Sequence, residues 1–209
     1  MNVVILSLAL GVLPAFGGGR ETRVAPVTLY TQFQQEPSTP LLEAMQDELE
    51  TIMSPAGLHF DWHALADAGG RVSSQLAVIH FKGECDVDGL RAEAGFPGPL
   101  GWTHISDGEI LPFIDVNCDG LRLFVQRELI GVPVAGREEA YARALARVLA
   151  HELYHLLAHT KAHMGGGIAK AAYTVGELLS QKLLFGRKEC ESLRSHMVRL
   201  TPEPLAEGQ

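Results

Sequence analysis

Four histidines and one glutamate lie within the thirteen residues HELYHLLAHTKAH, at positions 151 to 163. Residues four apart on a helix share one face, so His151 and His155 can both bind one metal ion. Glu152 lies beside this pair, where it can take a proton from a zinc-bound water that attacks a peptide bond. This HExxH spacing predicts a zinc site with His151 and His155 as metal ligands and Glu152 as the catalytic base.

A catalytic zinc site needs a third protein ligand, and the sequence offers two candidates. His159 continues the spacing of four, but a straight helix carries it about 12 Å from His151, too far for one shared ion. The helix must therefore end near His159, and His163 can return to the metal once the chain reverses in a left-handed turn. Glu177 can instead supply a carboxylate from the segment VGELLSQKL. We favour His163, because a first-turn acid is commonly solvated, and both candidates stay open.

Apolar residues surround the motif, which indicates a buried helix. Burying two histidines and a glutamate without a ligand would cost several kcal/mol, so this context favours metal binding over a solvated surface motif. Helix formers run unbroken from Glu138 to about His159, with a polar stripe of Arg143, Arg147 and Tyr154.

The remaining patterns predict an α+β fold with a small mixed sheet, an N-terminal helix and C-terminal helices. A β-α-β-β start is indicated by strand-like runs and one amphipathic period, and an Asp-Gly pair after Ser106 predicts a hairpin. Pro112 indicates that the second hairpin strand lies at an edge or carries a bulge. The predicted segments are strands at 27–33, 58–63 and 75–81, a hairpin at 100–118, and helices at 41–53, 138–159, 175–185 and 187–200.

The two ends of the chain differ in composition from the middle. An apolar run at 1–16, followed by small residues, predicts a signal peptide at 1–17 and a secreted or periplasmic protein with no stable membrane span in the mature chain. A single zinc-protease-like domain is expected at 18–200, and a flexible tail at 201–209.

Charge and cysteine content narrow the partners further. The net charge of −8 would repel phosphate backbones, so we expect no nucleic acid partner. Cys85 and Cys118 can form a disulfide if the chain is exported, whereas three buried thiols, with Cys190 as the third, fit the pattern equally well.

Three regions of the chain resemble the metzincin zinc proteases, and among them the small metalloproteases of acidobacteria. They are SQLAVIHFKGEC, LGWTHISDGEILPFIDVNC and VLAHELYHLLAHTKAHMGGGIAKA. The resemblance implies the ligand and base roles given above, and it implies that segment 103–115 is an edge that pairs with extended peptide substrate. Relative to HExxHxxGxxH, Ala158 replaces the glycine, Lys161 replaces the third histidine, and His163 comes two residues later.

The function expected from these features is that of an exported zinc metalloendopeptidase acting on a peptide or protein substrate. The same chemistry serves other carbonyl substrates, so an amidase-type zinc hydrolase is one alternative. A non-catalytic binding protein stabilised by its metal is the other.

Overall fold

The computed structural model describes residues 25–70, 72–92, 95 and 98–197. The predicted signal peptide and tail lie outside these residues. The described part is a mixed α and β structure with a five-stranded sheet, as expected in outline. Its elements are β1 (Val27–Gln35), α1 (Thr39–Met53), β2 (Phe60–Ala64), β3 (Leu76–Glu84), β4 (Gly101–Ser106), β5 (Glu109–Asn117), α2 (Cys118–Ile130), α3 (Val134–Leu157), α4 (Val175–Leu179) and α5 (Arg187–Ser195).

The predicted β-α-β-β start is confirmed. β1 pairs in parallel with β2 on one side and with β3 on the other. The Ser38 side chain begins α1 by accepting a hydrogen bond from the Leu41 N–H at 3.3 Å. The apolar face of α1 is buried, as its 3.6-residue period predicts, and it packs against α3.

The predicted hairpin is β4 and β5, joined by a turn in which Asp107 and Gly108 both have positive φ, 51° and 88°. That pair of conformations is what a two-residue hairpin turn of the predicted type requires. The strand order is β2-β1-β3-β5-β4, so β5 is not an edge strand. The prediction from Pro112 that this strand lies at an edge is therefore wrong. The alternative prediction, a bulge, is confirmed, because the pairing of β4 with β5 shifts between Thr103 and Ile105. The edge expected over 103–115 is confined to β4.

Four helices differ from the predicted pattern. The helices predicted at 175–185 and 187–200 are the shorter α4 and α5, which end at Leu179, where the backbone of Ser180 becomes extended, and at Ser195. The sequence patterns did not predict α2. The Asn117 side chain caps its N-terminus by accepting a hydrogen bond from the Gly120 N–H at 2.8 Å. α3 begins at Val134, one turn before Glu138, the predicted start. The side chains of its predicted polar stripe are buried. From Ala140 to Leu157 every residue except His155 is buried, as expected for a central helix.

The core fills the space between one face of the sheet and the helices α1, α2 and α3. Cys85 and Cys118 form a disulfide that links the end of β3 to the start of α2, while Cys190 is a free, buried thiol. Among the helices in the described part of the chain, none is long and apolar enough to cross a membrane.

Candidate metal centre

A tight turn ends α3 immediately after the motif. His159 has a φ of 46°, in the left-handed region, as the chain reversal predicted. Its N–H donates to the Leu156 carbonyl at 3.3 Å, and the Thr160 N–H donates to the His155 carbonyl at 3.1 Å. These two bonds form a Schellman motif, which stops the helix and turns the chain back.

This turn brings His163 to the pair on the helix. Ring nitrogens of His151, His155 and His163 all lie within 4.8 Å of one another. The His163 ring centroid is 5.2 Å from that of His151 and 4.9 Å from that of His155. His159 instead points away, with its ring 6.1 Å from the ring of His196. The structure therefore groups the three residues that were predicted as metal ligands.

Backbone carbonyls fix the orientation of the two helical imidazoles. His151 Nδ1 lies 2.8 Å from the Ile168 carbonyl oxygen, and His155 Nδ1 lies 2.8 Å from that of Thr160. A carbonyl oxygen can only accept, so each Nδ1 carries the hydrogen and each Nε2 of a neutral ring carries a lone pair. The two Nε2 atoms face each other at 3.1 Å. Two lone pairs at this distance repel unless a cation lies between them.

Protonation does not supply that cation at neutral pH. Burial, together with the neighbouring imidazoles, lowers the pKa of His151 to about 4. Burial also lowers the pKa of His155. Both rings are therefore neutral near pH 7, the state in which a histidine binds a metal.

Tyr173 adds a second donor behind His151. Its hydroxyl donates to the Ile168 carbonyl oxygen, the acceptor that His151 also uses, and lies 3.2 Å from His151 Nδ1. Outer partners of this kind hold a ligand imidazole in one orientation. The phenol is thus occupied on the side of His151 that faces away from His155.

Glu177, the alternative third ligand, has a structural role instead. Its carboxylate accepts from the backbone N–H of Thr174, at the N-cap of α4, and forms an ion pair with Lys170. The Lys170 ammonium and the Thr174 hydrogen bonds lower the pKa of Glu177 to about 2. The carboxylate does not belong to the histidine cluster.

Replacing His163 and Glu177 separately by alanine tests which of them is the third metal ligand. We expect His163→Ala to weaken zinc binding by more than about 100-fold, because loss of an outer-shell partner alone costs about 10- to 100-fold. Glu177→Ala should retain zinc, since its carboxylate caps α4. Elemental analysis after dialysis against a competing chelator measures both. Zinc loss from Glu177→Ala, or its retention by His163→Ala, would contradict this assignment.

The carboxyl group of Glu152 lies against the edge strand. The Thr103 hydroxyl lies 2.9 Å from Glu152 Oε2 and 3.0 Å from the Glu152 carbonyl oxygen. Burial raises the pKa of Glu152 to about 7, and the Thr103 hydrogen bonds oppose that rise. A side chain at Gly101 would not fit, because a Cβ there would lie 2.9 Å from Val148 Cγ1 and 3.2 Å from Glu152 Oε1.

Two cavities flank the cluster, and both are bounded by Gly101 and His163. The larger, about 490 Å³, is mainly apolar, with Leu100, Phe124 and Val148 in its wall. The smaller, about 240 Å³, reaches Glu152 and His155 and extends along the hairpin to Ile105 and Ile110. The arrangement is a cleft that runs past the histidines along β4.

The sequence patterns did not predict that Thr103 contacts Glu152, because a threonine in a strand does not by itself indicate a functional site. The alternation of β4 was the available clue, because it turns Thr103 towards α3 and His104 towards Asp115, on the opposite face of the sheet. No protein-family model and no curated protein sequence matches the chain.

Proposed function

We propose that this protein is a zinc-dependent peptidase in which His151, His155 and His163 hold the metal and Glu152 is the base. One observation carries the proposal. Two neutral imidazoles, each locked by a carbonyl at Nδ1, direct their Nε2 lone pairs at each other across 3.1 Å. A cation between the nitrogens would remove the repulsion between these lone pairs, and this supports a metal at the site.

The donor set fits zinc. Two nitrogens bound to one zinc at about 2.0 to 2.1 Å in tetrahedral geometry lie about 3.3 Å apart, close to the 3.1 Å separation of the Nε2 atoms. Calcium and magnesium prefer oxygen ligands, which the three histidines do not offer. Three protein ligands also leave a fourth position open, as in catalytic rather than structural zinc sites.

Zinc in this site would act as a Lewis acid, lowering the pKa of water to about 7 and polarising the substrate carbonyl. Glu152 takes the proton from the attacking water and delivers it to the leaving amine as the C–N bond breaks. Burial raises the pKa of this carboxyl, and a neighbouring zinc ion would lower it again, so that Glu152 can act as an ionised base near neutral pH. The Thr103 hydroxyl donates to Oε2 and so fixes the orientation of the carboxylate.

The role of Thr103 can be measured directly. We expect Thr103→Val to lower kcat by about 10- to 100-fold, the value of a hydrogen bond to a charged group, with little change in KM or zinc content. Thr103→Ser keeps the hydroxyl and should restore most of the activity. Activity of Thr103→Val near that of wild type, or a loss in Thr103→Ser as large as in Thr103→Val, would contradict this role for the hydroxyl.

The cleft favours an extended peptide as substrate. β4 is an edge strand, and its outer backbone groups have no partner strand in the described part of the sheet. Strand addition to such an edge recognises peptide backbone, while the apolar cavity can take a side chain. The disulfide supports export, because such bonds persist in secreted and periplasmic proteins.

Metal removal tests the whole proposal. We expect the zinc-loaded protein to cleave casein or a pool of its tryptic peptides, the apoprotein to lose this activity, and added zinc to restore it. Mass spectrometry of the products and the zinc content are measured on the same samples. A protein that holds zinc and cleaves no peptide would instead support the non-catalytic binding protein or the amidase.

A further inference from the structure

One hydrogen bond, which we call the bridge, joins the loop after α3 to the hairpin turn beside the smaller cavity. Lys161 Nζ donates a hydrogen bond to the Gly108 carbonyl oxygen at 2.7 Å, joining the loop after α3 to the turn between β4 and β5. The two walls that this contact joins belong to one cavity. Its lining includes Trp102, Ile105 and Ile110 on the sheet side, and Thr160 and Lys161 on the loop side.

The backbone of Lys161 is held on both sides. Thr160 before it exchanges two bonds with His155, through the Thr160 N–H at 3.1 Å and the Thr160 carbonyl at 2.8 Å. The Ala162 N–H after it donates to Thr160 Oγ1 at 3.1 Å, and His163 belongs to the metal cluster. The ammonium therefore crosses to the hairpin from a fixed position.

The distance along β4 from Glu152 to the Lys161–Gly108 hydrogen bond determines how many peptide residues fit between them. Thr103 is level with Glu152, because its hydroxyl contacts the carboxylate. From Thr103 to Ser106, the last residue of β4, is three steps of about 3.3 Å, or about 10 Å. A peptide paired with β4 thus has room for about three residues between the cleaved bond and the bridge.

The charges at the bridged end distinguish the two termini of a peptide. Asp107 in the turn and Glu109 after it have exposed carboxylates, so two negative charges lie there against the single positive charge that Lys161 keeps while bonded to the neutral Gly108 carbonyl. A free α-amino group is cationic at neutral pH and is attracted by two carboxylates, which repel an α-carboxylate.

We infer that the cleft accepts peptides whose free amino terminus lies within about three residues of the cleaved bond, and that Lys161 sets this limit. One water adds across the C–N bond, which releases a short N-terminal peptide and the shortened chain. The inference rests on the proposed function and narrows the internal cleavage expected from the sequence.

A length series tests it. One peptide that the zinc-loaded protein cleaves is extended residue by residue at its amino terminus, with each length made free and N-acetylated. For wild type, we expect kcat/KM to fall about tenfold beyond about three residues, and acetylation of the short peptides to lower it about three- to tenfold. Asp107→Asn with Glu109→Gln should remove the preference for a free amine.

Lys161→Met keeps most of the side-chain length but cannot donate, so it should cleave long peptides as well as short ones. Lys188→Met, which removes an exposed lysine on α5, is the matched control and should behave as wild type. A wild type without a length limit, a Lys161→Met profile equal to wild type, or selection for a free carboxylate would overturn the inference alone. A zinc-loaded wild type that cleaves no peptide would overturn the proposed function and the inference with it.

Discussion

Glu152→Gln is expected to lower kcat/KM for peptide cleavage by about 100- to 10,000-fold, the usual contribution of general acid–base catalysis. The amide has the same shape as the carboxylate, and its oxygen can still accept from the Thr103 hydroxyl. What it loses is the capacity to take a proton. Zinc content should be unchanged, because Glu152 is not one of the three histidines of the cluster.

The measurement is kcat/KM on the best peptide from the tryptic casein pool, with zinc determined on the same samples. Glu43→Gln changes an exposed acid on α1 and is the matched control. Activity in Glu152→Gln near that of wild type would exclude Glu152 as the base. Loss of zinc together with activity would instead make the residue part of the metal site.

Arg147→Met is expected to lower the free energy of unfolding by about 3 to 5 kcal/mol, the cost of breaking a buried ion pair. The Arg147 side chain is fully buried. Its Nη1 donates to the Glu177 and Leu178 carbonyls at 2.8 and 2.9 Å, and its Nε donates to Glu48 Oε1 at 3.0 Å. Methionine would leave all three acceptors without this donor.

Urea unfolding measures the change. The control is Arg187→Met on α5, where an 86% exposed side chain lies 3.9 Å from Glu191, and it should change stability by less than about 0.5 kcal/mol. A double variant, Arg147→Met with Glu48→Met, should recover part of the loss because it leaves no unpaired charge. Similar stability of Arg147→Met and the control would contradict this role for Arg147.

Local patterns predicted those parts of the fold that local physics decides. The period of α1, the Asp107-Gly108 turn and the burial of the motif helix all follow from residue types within one short segment. The grouping of His163 with the helical pair also followed, because the helix rise excludes His159 as a ligand. That a metal binds there stays a prediction.

What the sequence did not predict depends on contacts between distant segments. Thr103 and Glu152 are 49 residues apart, and nothing local marks the threonine as a partner. α2 was missed because it follows β5 directly, with Asn117 as both the last residue of β5 and the N-cap of α2. Arg147 is buried because α1 and α4 supply acceptors for its guanidinium. The pattern of α3 alone does not contain these partners and therefore predicts a polar surface residue.

The Cys85–Cys118 disulfide should make the stability of the fold, but not the ligand atoms of the histidine cluster, sensitive to reductant. The chain between the two cysteines contains β4 and therefore Gly101 and Thr103, and closing a loop of this length stabilises by about 4 kcal/mol. The three grouped histidines follow this loop in the chain and would bind a metal through nitrogen, so reduction would remove none of these candidate ligands. If the proposed function holds, protein produced in a reducing cytosol should still bind zinc but have a less stable β4, so we expect lower peptidase activity from it than from the oxidised protein.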